Sequence, residues 1–255
     1  MAKQLLAPWL PVIGVFLGSL VLCRAEVLFF DNFSEEGNIN GMSAPTSFNG
    51  APWKSGSGPR TLISDGEVLA VDTSVAQLAV MELDEGYFEE NPGLYALSVD
   101  VTFPEESEGG AMWVALGFNK GDDPGSSFNT PSGPNGASPW MLFRARGAGH
   151  VFEGRGVANY LADIPEEFPP GQTYNLKLVL NSRDEVWTLE AFIDDRQIQF
   201  GQERTDTHSF VKHPAIRYVG LSANPAGDSN GSQSVFATVD NFKLEKLEPG
   251  EKEAP

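Results

Sequence analysis

Phe29-Phe30-Asp31-Asn32-Phe33 (FFDNF) opens the β-rich part of this 255-residue chain, and Val239-Asp240-Asn241-Phe242-Lys243-Leu244 (VDNFKL) closes it. One apolar–Asp–Asn–Phe phrase thus stands near both ends of the sequence. It poses whether the two ends of a single β-domain meet, and the residues between the phrases bear on the answer.

Those residues read as short β-rich runs broken by Gly, Pro, Asn and Asp, with little helical periodicity. The run 94–103 alternates, with Tyr95, Leu97, Val99 and Val101 on one face and Ala96, Ser98, Asp100 and Thr102 on the other. Residues 61–64 and 67–71 flank Asp65-Gly66, a pair suited to a tight hairpin because Gly tolerates positive φ. Residues 174–180 and 186–193 predict a second hairpin across 181–184, and 28–33, 77–83, 111–118, 140–146, 150–153, 218–222 and 234–244 predict further strands. Long polar or Gly/Pro-rich stretches at 37–59 (with Trp53), 119–139 and 223–233 read as loops. No repeat of roughly 20–50 residues is visible, so solenoids and propellers are set aside.

The first 25 residues carry Lys3, an uncharged apolar run over 5–22, and Cys23-Arg24-Ala25, with small residues where a peptidase would cut after Ala25. This is the layout of a secretory signal peptide. A retained membrane anchor and a lipoprotein acylated on Cys23 are the alternatives. Pro8 and Pro11 within the run, and Leu22 where a lipoprotein wants a small residue, weigh against them. Cleavage would remove Lys3, Arg24 and no acid, leaving 15 basic against 35 acidic residues, a net −20 in place of −18. It would also remove the only cysteine. Such acidity disfavours nucleic acid and anionic lipid as partners, since both call for basic patches. The expectation is a secreted, periplasmic or cell-surface protein. It has a β-domain over 26–247 and a charged tail at 248–255, with no membrane partner once the leader is gone.

The order of these elements resembles the concanavalin A-like lectin/glucanase superfamily, in particular laminin-G-like jelly-roll modules of secreted bacterial proteins. The carriers are Phe30-Asp31-Asn32-Phe33 with Gly41 and Trp53; Tyr174-Asn175-Leu176-Lys177-Leu178-Val179-Leu180; the run from Trp187 to Asp195; and Val219-Gly220-Leu221-Ser222 with the closing Val239-Asp240-Asn241-Phe242. The resemblance implies an all-β fold of two antiparallel sheets packed face to face, with first and last strands adjacent. Each repeated Phe would then face the core, with its Asp-Asn near the sheet edge.

Two constellations could carry chemistry on this scaffold. Asp31 and Asp240, brought together at the seam, would pair two carboxylates. The resemblance implies a structural calcium there, a hard ion that prefers oxygen ligands; the plainer reading is that both side chains cap turns. In 140–146, alternation puts Met141, Phe143 and Ala145 on one face and Trp140, Leu142, Arg144 and Arg146 on the other. The second set joins an aromatic to two guanidinium groups, with His150, Glu153 and Arg155 following. The resemblance places carbohydrate on the concave sheet, where a flat aromatic and bidentate donors would serve it. Trp140, Arg144, Arg146, His150, Glu153 and Arg155 are therefore the candidate ligand-binding residues. Trp113 and Trp187 read as core, and Asp228-Ser229-Asn230-Gly231 as a turn.

Glucanases of the superfamily use Glu-x-Asp-x-Glu or Glu-x-Asp-x-x-Glu on one strand, and no such phrase occurs here. His208 and His213 lack a zinc-ligand spacing. The reading is a non-catalytic carbohydrate-binding or adhesive module directed at extracellular polysaccharide. A glycoside hydrolase or lyase with an atypical active site, and a structural surface or matrix protein, stay open.

Overall fold

The opening and closing phrases meet. In the computed structural model, Glu26 pairs in register with Lys246, and Asp31 with Phe242 of the closing phrase. Residues 25–55, 62–64, 66, 68–70, 77–105, 112–120, 137–154, 160–224, 226–227, 234–235 and 237–248 are described.

Strands are numbered along the chain: β1 (Glu26–Asp31), β2 (Gly37–Asn38), β3 (Lys54–Ser55), β4 (Leu62–Ser64), β5 (Val68–Ala70), β6 (Gln77–Glu82), β7 (Leu94–Thr102), β8 (Trp113–Asn119), β9 (Ala137–Arg144) and β10 (Gly149–Phe152). There follow β11 (Tyr160–Ile164), β12 (Thr173–Asn181), β13 (Thr188–Ile193), β14 (Arg196–Gln197), β15 (His208–Ser209), β16 (Tyr218–Asn224), β17 (Ala226–Gly227), β18 (Ser234–Val235) and β19 (Thr238–Leu247). Ten strands form one antiparallel sheet in the order β14-β13-β12-β7-β19-β5-β4-β2, with β1 on β19 and β15 on β13. Seven form the other, β11-β10-β9-β8-β16-β6-β3. This is a two-sheet jelly-roll sandwich of the concanavalin A-like type, as the element order implied.

Alternation places the core. Tyr95, Leu97, Val99 and Val101 of β7 face inward with Leu176, Leu178 and Leu180 of β12. Opposite them stand Val114, Leu116 and Phe118 of β8, Met141 and Phe143 of β9, and Val219 and Leu221 of β16. Burying each such side chain stabilises the fold by roughly 1.5–3 kcal/mol.

The repeated phrases close around Trp53. Its ring lies 5.9 Å from Phe33 and 5.0 Å, edge on, from Phe242. The indole N–H donates to Asp31 Oδ2 at 2.7 Å, and the Phe33 amide to Asp31 Oδ1 at 2.7 Å. In the closing phrase Asn241 takes a left-handed φ of 52° where the β19 register shifts, forming a bulge. Its side-chain Nδ2 donates to Asp100 Oδ2 on β7 at 2.9 Å. Both Phe side chains are buried, as expected. The second Asp-Asn is not at a sheet edge, however. β19 lies inside the larger sheet, between β7 and the strands β1 and β5, so Asp240 pairs with Asp100.

The two expected hairpins form, as β4–β5 and β12–β13. Sequence periodicity missed β11, and the stretch 37–59 carries β3, which joins the smaller sheet through β6. Most of the signal segment and of the tail lie outside the described residues.

Candidate functional site

The smaller sheet turns a second face away from the core, and β9, β10 and β11 build its edge. Phe152 pairs with Trp140 on one side and Tyr160 on the other, while His150 pairs with Leu142 and Asp163. This register sets an aromatic row across three strands. Trp140 and Phe152 stack at 4.0 Å with an 8° interplanar angle, and the His150 ring lies 5.7 Å from Phe152 and 5.3 Å from Tyr160. The row runs from a fully buried Trp140 to a Tyr160 that is 46% exposed.

The sequence-derived site is therefore corrected at its centre. Trp140 lies on the predicted face but is 0% exposed, and its indole N–H donates to the Gly154 carbonyl at 2.7 Å. With Leu78, Val80, Trp113, Ala115, Leu142, Phe152 and Tyr218 it forms a second buried apolar cluster. A ring whose faces and N–H are already used offers no platform to a ligand. Arg144 is half-buried opposite Trp113 at the end of β9. Arg146 lies beyond the strand, in the β9–β10 turn, with a left-handed φ of 72°, so strand alternation does not govern where it points. Arg155 lies outside the described residues. Trp187 is core and Trp113 is buried in the second cluster, so both are inaccessible.

His150 and Glu153 do reach a common edge, where they meet residues the sequence reading did not select. His150 Nδ1 is 3.0 Å from Asp163 Oδ1. Glu153 Oε2 is 3.5 Å from His208 Nε2. His208 arrives on β15, which is hydrogen-bonded to β13 of the larger sheet. The hairpin that precedes it closes through the Phe200–Thr205 bridge and is tied to β11 by the Gly201 amide donating to Leu161 O at 2.8 Å. Between hairpin and strand lies a cleft of about 360 Å³ lined by Tyr160, Leu161, Phe200, Gly201, Gln202, Glu203, Thr205, Thr207, His208 and Ser209. Gln202 and Glu203 are exposed at its lip.

His208 sits among Phe200 and Phe210, and burial pushes its imidazole below the ordinary histidine value, with Glu153 acting in the opposite sense. Its Nε2 is buried and makes no hydrogen bond. The cleft thus joins one exposed aromatic face to amide, hydroxyl and carboxylate groups and a neutral imidazole, an arrangement that can hold a small polar ring by stacking and hydrogen bonds. The missed signal was the alternation of Ala162 and Ile164, buried, with the exposed Asp163 between them, which marks a half-buried strand.

The seam does not fit calcium. Both Asp31 oxygens accept hydrogen bonds from inside the molecule, and Asp240 Oδ1 accepts from the Asn241 amide at 2.7 Å. Among the described residues no group of three or more His, Cys, Asp or Glu side chains could hold a metal. Calcium takes six to eight oxygens. Asp31 is instead the acceptor that anchors Trp53. The phrase Gly227-Asp228-Ser229-Asn230-Gly231 has the Gly-x-Ser-x-Gly spacing of a hydrolase elbow. Its Gly227 ends β17, and 228–231 lie outside the described residues.

No protein-family model matches the chain, and no curated protein matches it in sequence. Solved structures do. The Emp47p carbohydrate recognition domain is 12% identical with a TM-score of 0.50, covering 85% of this chain and 96% of that one. The Trypanosoma rangeli sialidase is 13% identical with a TM-score of 0.50, covering 87% of this chain but 31% of the sialidase. Alginate lyase Aly36B is 14% identical with a TM-score of 0.49, covering 88% and 97%. At such identities the likeness is one of fold alone.

Proposed function

We propose that this chain is a secreted, non-catalytic saccharide-binding module that acts at extracellular polysaccharide and seats a sugar ring on Tyr160 in the cleft between β11 and the 200–205 hairpin. One observation carries the reading. Tyr160 is an exposed ring at the end of an otherwise buried aromatic row, and hydrogen-bonding groups on the facing hairpin edge it. An aromatic face complements the apolar face of a sugar, and Gln202, Glu203 and the hydroxyls of Thr205 and Ser209 complement its hydroxyls. The fold shared with a carbohydrate recognition domain supports the same reading. Export is supported by the leader-like residues 1–25, by a remainder without cysteine and by the acidic composition.

The test is titration calorimetry on hits from a glycan array, comparing wild type with Tyr160→Ala. Wild type binds; the variant, with an unchanged melting temperature, loses at least about tenfold in affinity. Absence of binding to any glycan would leave a structural surface or matrix role.

A second reading, as a carbohydrate-cleaving enzyme, is favoured by one feature: the His208 imidazole lines the cleft, and its Nε2, which makes no hydrogen bond, lies 3.5 Å from the Glu153 carboxylate. Such a pair could move a proton. Release of reducing ends or unsaturated sugars by wild type, abolished in His208→Gln, would establish it.

A further inference from the structure

From the charge of this cleft we infer its ligand class: a cationic amino sugar, as in a glucosamine-containing polysaccharide, in preference to neutral or uronate-bearing chains. The inference rests on the saccharide reading above. Among the described residues no Lys or Arg lines the cleft, whereas Glu203 stands at its lip and Glu153 against its histidine. Asp163 lies beside His150 on the adjoining strand, with its side chain largely exposed. Burial keeps the His208 imidazole in its neutral form, so it adds no positive charge. The whole 255-residue chain carries a net −18.

These groups act differently on three sugar types. A uronate brought to Tyr160 meets Glu203 with no lining cation among the described residues to receive it, so repulsion opposes binding. A neutral N-acetyl sugar gains stacking and hydrogen bonds alone. A protonated amino sugar gains those contacts and also an attraction to Glu203 and its neighbours, strengthened because one side of the cleft is low-dielectric protein. The ammonium can also sit against the Tyr160 ring, whose face attracts cations. Charged sites of this kind are screened by salt, so the preference is ionic-strength dependent.

The experiment measures binding of full-length chain to a glucosamine tetramer, its N-acetylated counterpart, an alginate tetramer and spermidine at low and moderate salt. The expected result is glucosamine bound about tenfold more tightly than the acetylated tetramer, with alginate unbound and the preference shrinking as salt rises. Glu203→Gln is expected to cut glucosamine affinity several-fold more than it cuts affinity for the acetylated tetramer. Equal or tighter binding of the acetylated or alginate tetramer overturns the amino-sugar assignment while leaving the saccharide site in place. Binding of spermidine without any glucosamine oligomer overturns it as well, since the cleft would then read charge alone. Failure of every saccharide overturns the proposed function with it.

Discussion

Asp31 accepts two hydrogen bonds, yet its carboxyl is held above the ordinary carboxylate range. Burial is the main cause, and the negative charges of Glu35 and Asp240 add to it, against the lowering effect of the Trp53 and Phe33 donors. A raised folded pKa means the group's contribution to stability is complete below its unfolded value of 3.8 and is lost as pH rises through the folded one. Asn at this position cannot titrate. The stability advantage of wild type over Asp31→Asn is therefore expected to be largest near pH 4 and to shrink toward pH 7, as read by urea unfolding across that range. A difference independent of pH would contradict the burial argument. Trp53→Phe, which keeps a ring but removes the donor, is expected to cost about 1–3 kcal/mol by leaving a buried acceptor without a partner. His208 titrates in the opposite sense. Its folded pKa is depressed, so wild type loses stability as pH falls from 6.5 through the folded value, and His208→Gln escapes that loss. Melting temperatures at pH 7.5 and pH 5 should therefore fall further for wild type than for the variant. The sequence identified Asp31 as important, and its plainer reading, a side chain that caps a turn, accounts for the Phe33 amide but not for the Trp53 indole. The phrase itself carries no sign that Trp53 arrives from the 37–59 stretch, because that approach is made by tertiary packing.

At the level of strands, alternation was a sound guide to faces and a poor guide to exposure. It separated Met141 and Phe143 from Trp140 and Leu142 correctly. A period of two assigns a side but says nothing of what lies over it, so Trp140 was taken for a platform. The edge that carries the proposed site is harder to see for a related reason. β11 is five residues long with a register shift opposite Phe152, and its partner across the cleft, His208, is far away in sequence on a two-residue strand of the other sheet. No local pattern joins them. The two aromatics should therefore respond oppositely to truncation. Trp140→Ala empties a packed cluster and is expected to cost about 3–5 kcal/mol in unfolding free energy. Tyr160→Ala removes an exposed ring and is expected to cost under about 0.5 kcal/mol. Saccharide binding should be lost in Tyr160→Ala while its melting temperature holds. A Tyr160→Ala variant that melts far below wild type would show that the ring serves the fold.

Over the whole molecule, the repeated phrase was the most legible feature because it encodes topology directly. A sandwich whose first and last strands pair must bring its two ends together, and Glu26 opposite Lys246 does so. The consequence is that chain order matters less to this fold than strand adjacency. Joining residue 248 to residue 26 through a short Gly/Ser linker, with new ends opened between Asp184 and Glu185, leaves every ladder intact. The new break falls in the exposed connection between β12 and β13, whose flanks are held by the Ser182 amide on Gly93 O at 2.8 Å and the Phe210 amide on Trp187 O at 2.9 Å. Circular permutation succeeds at such exposed connections. The permuted protein is expected to give the same β-sheet circular dichroism as the natural order and to melt within a few degrees of it. Ending the natural chain before β19 has the opposite consequence, because that strand lies between β7 and the strands β1 and β5 and buries Val239, Phe242 and Leu244. Its loss exposes the ladder edge of β7 and opens the core, so the truncated chain is expected to lose its cooperative thermal transition. A truncated chain that still melts cooperatively near the natural temperature would refute the central placement of the closing phrase.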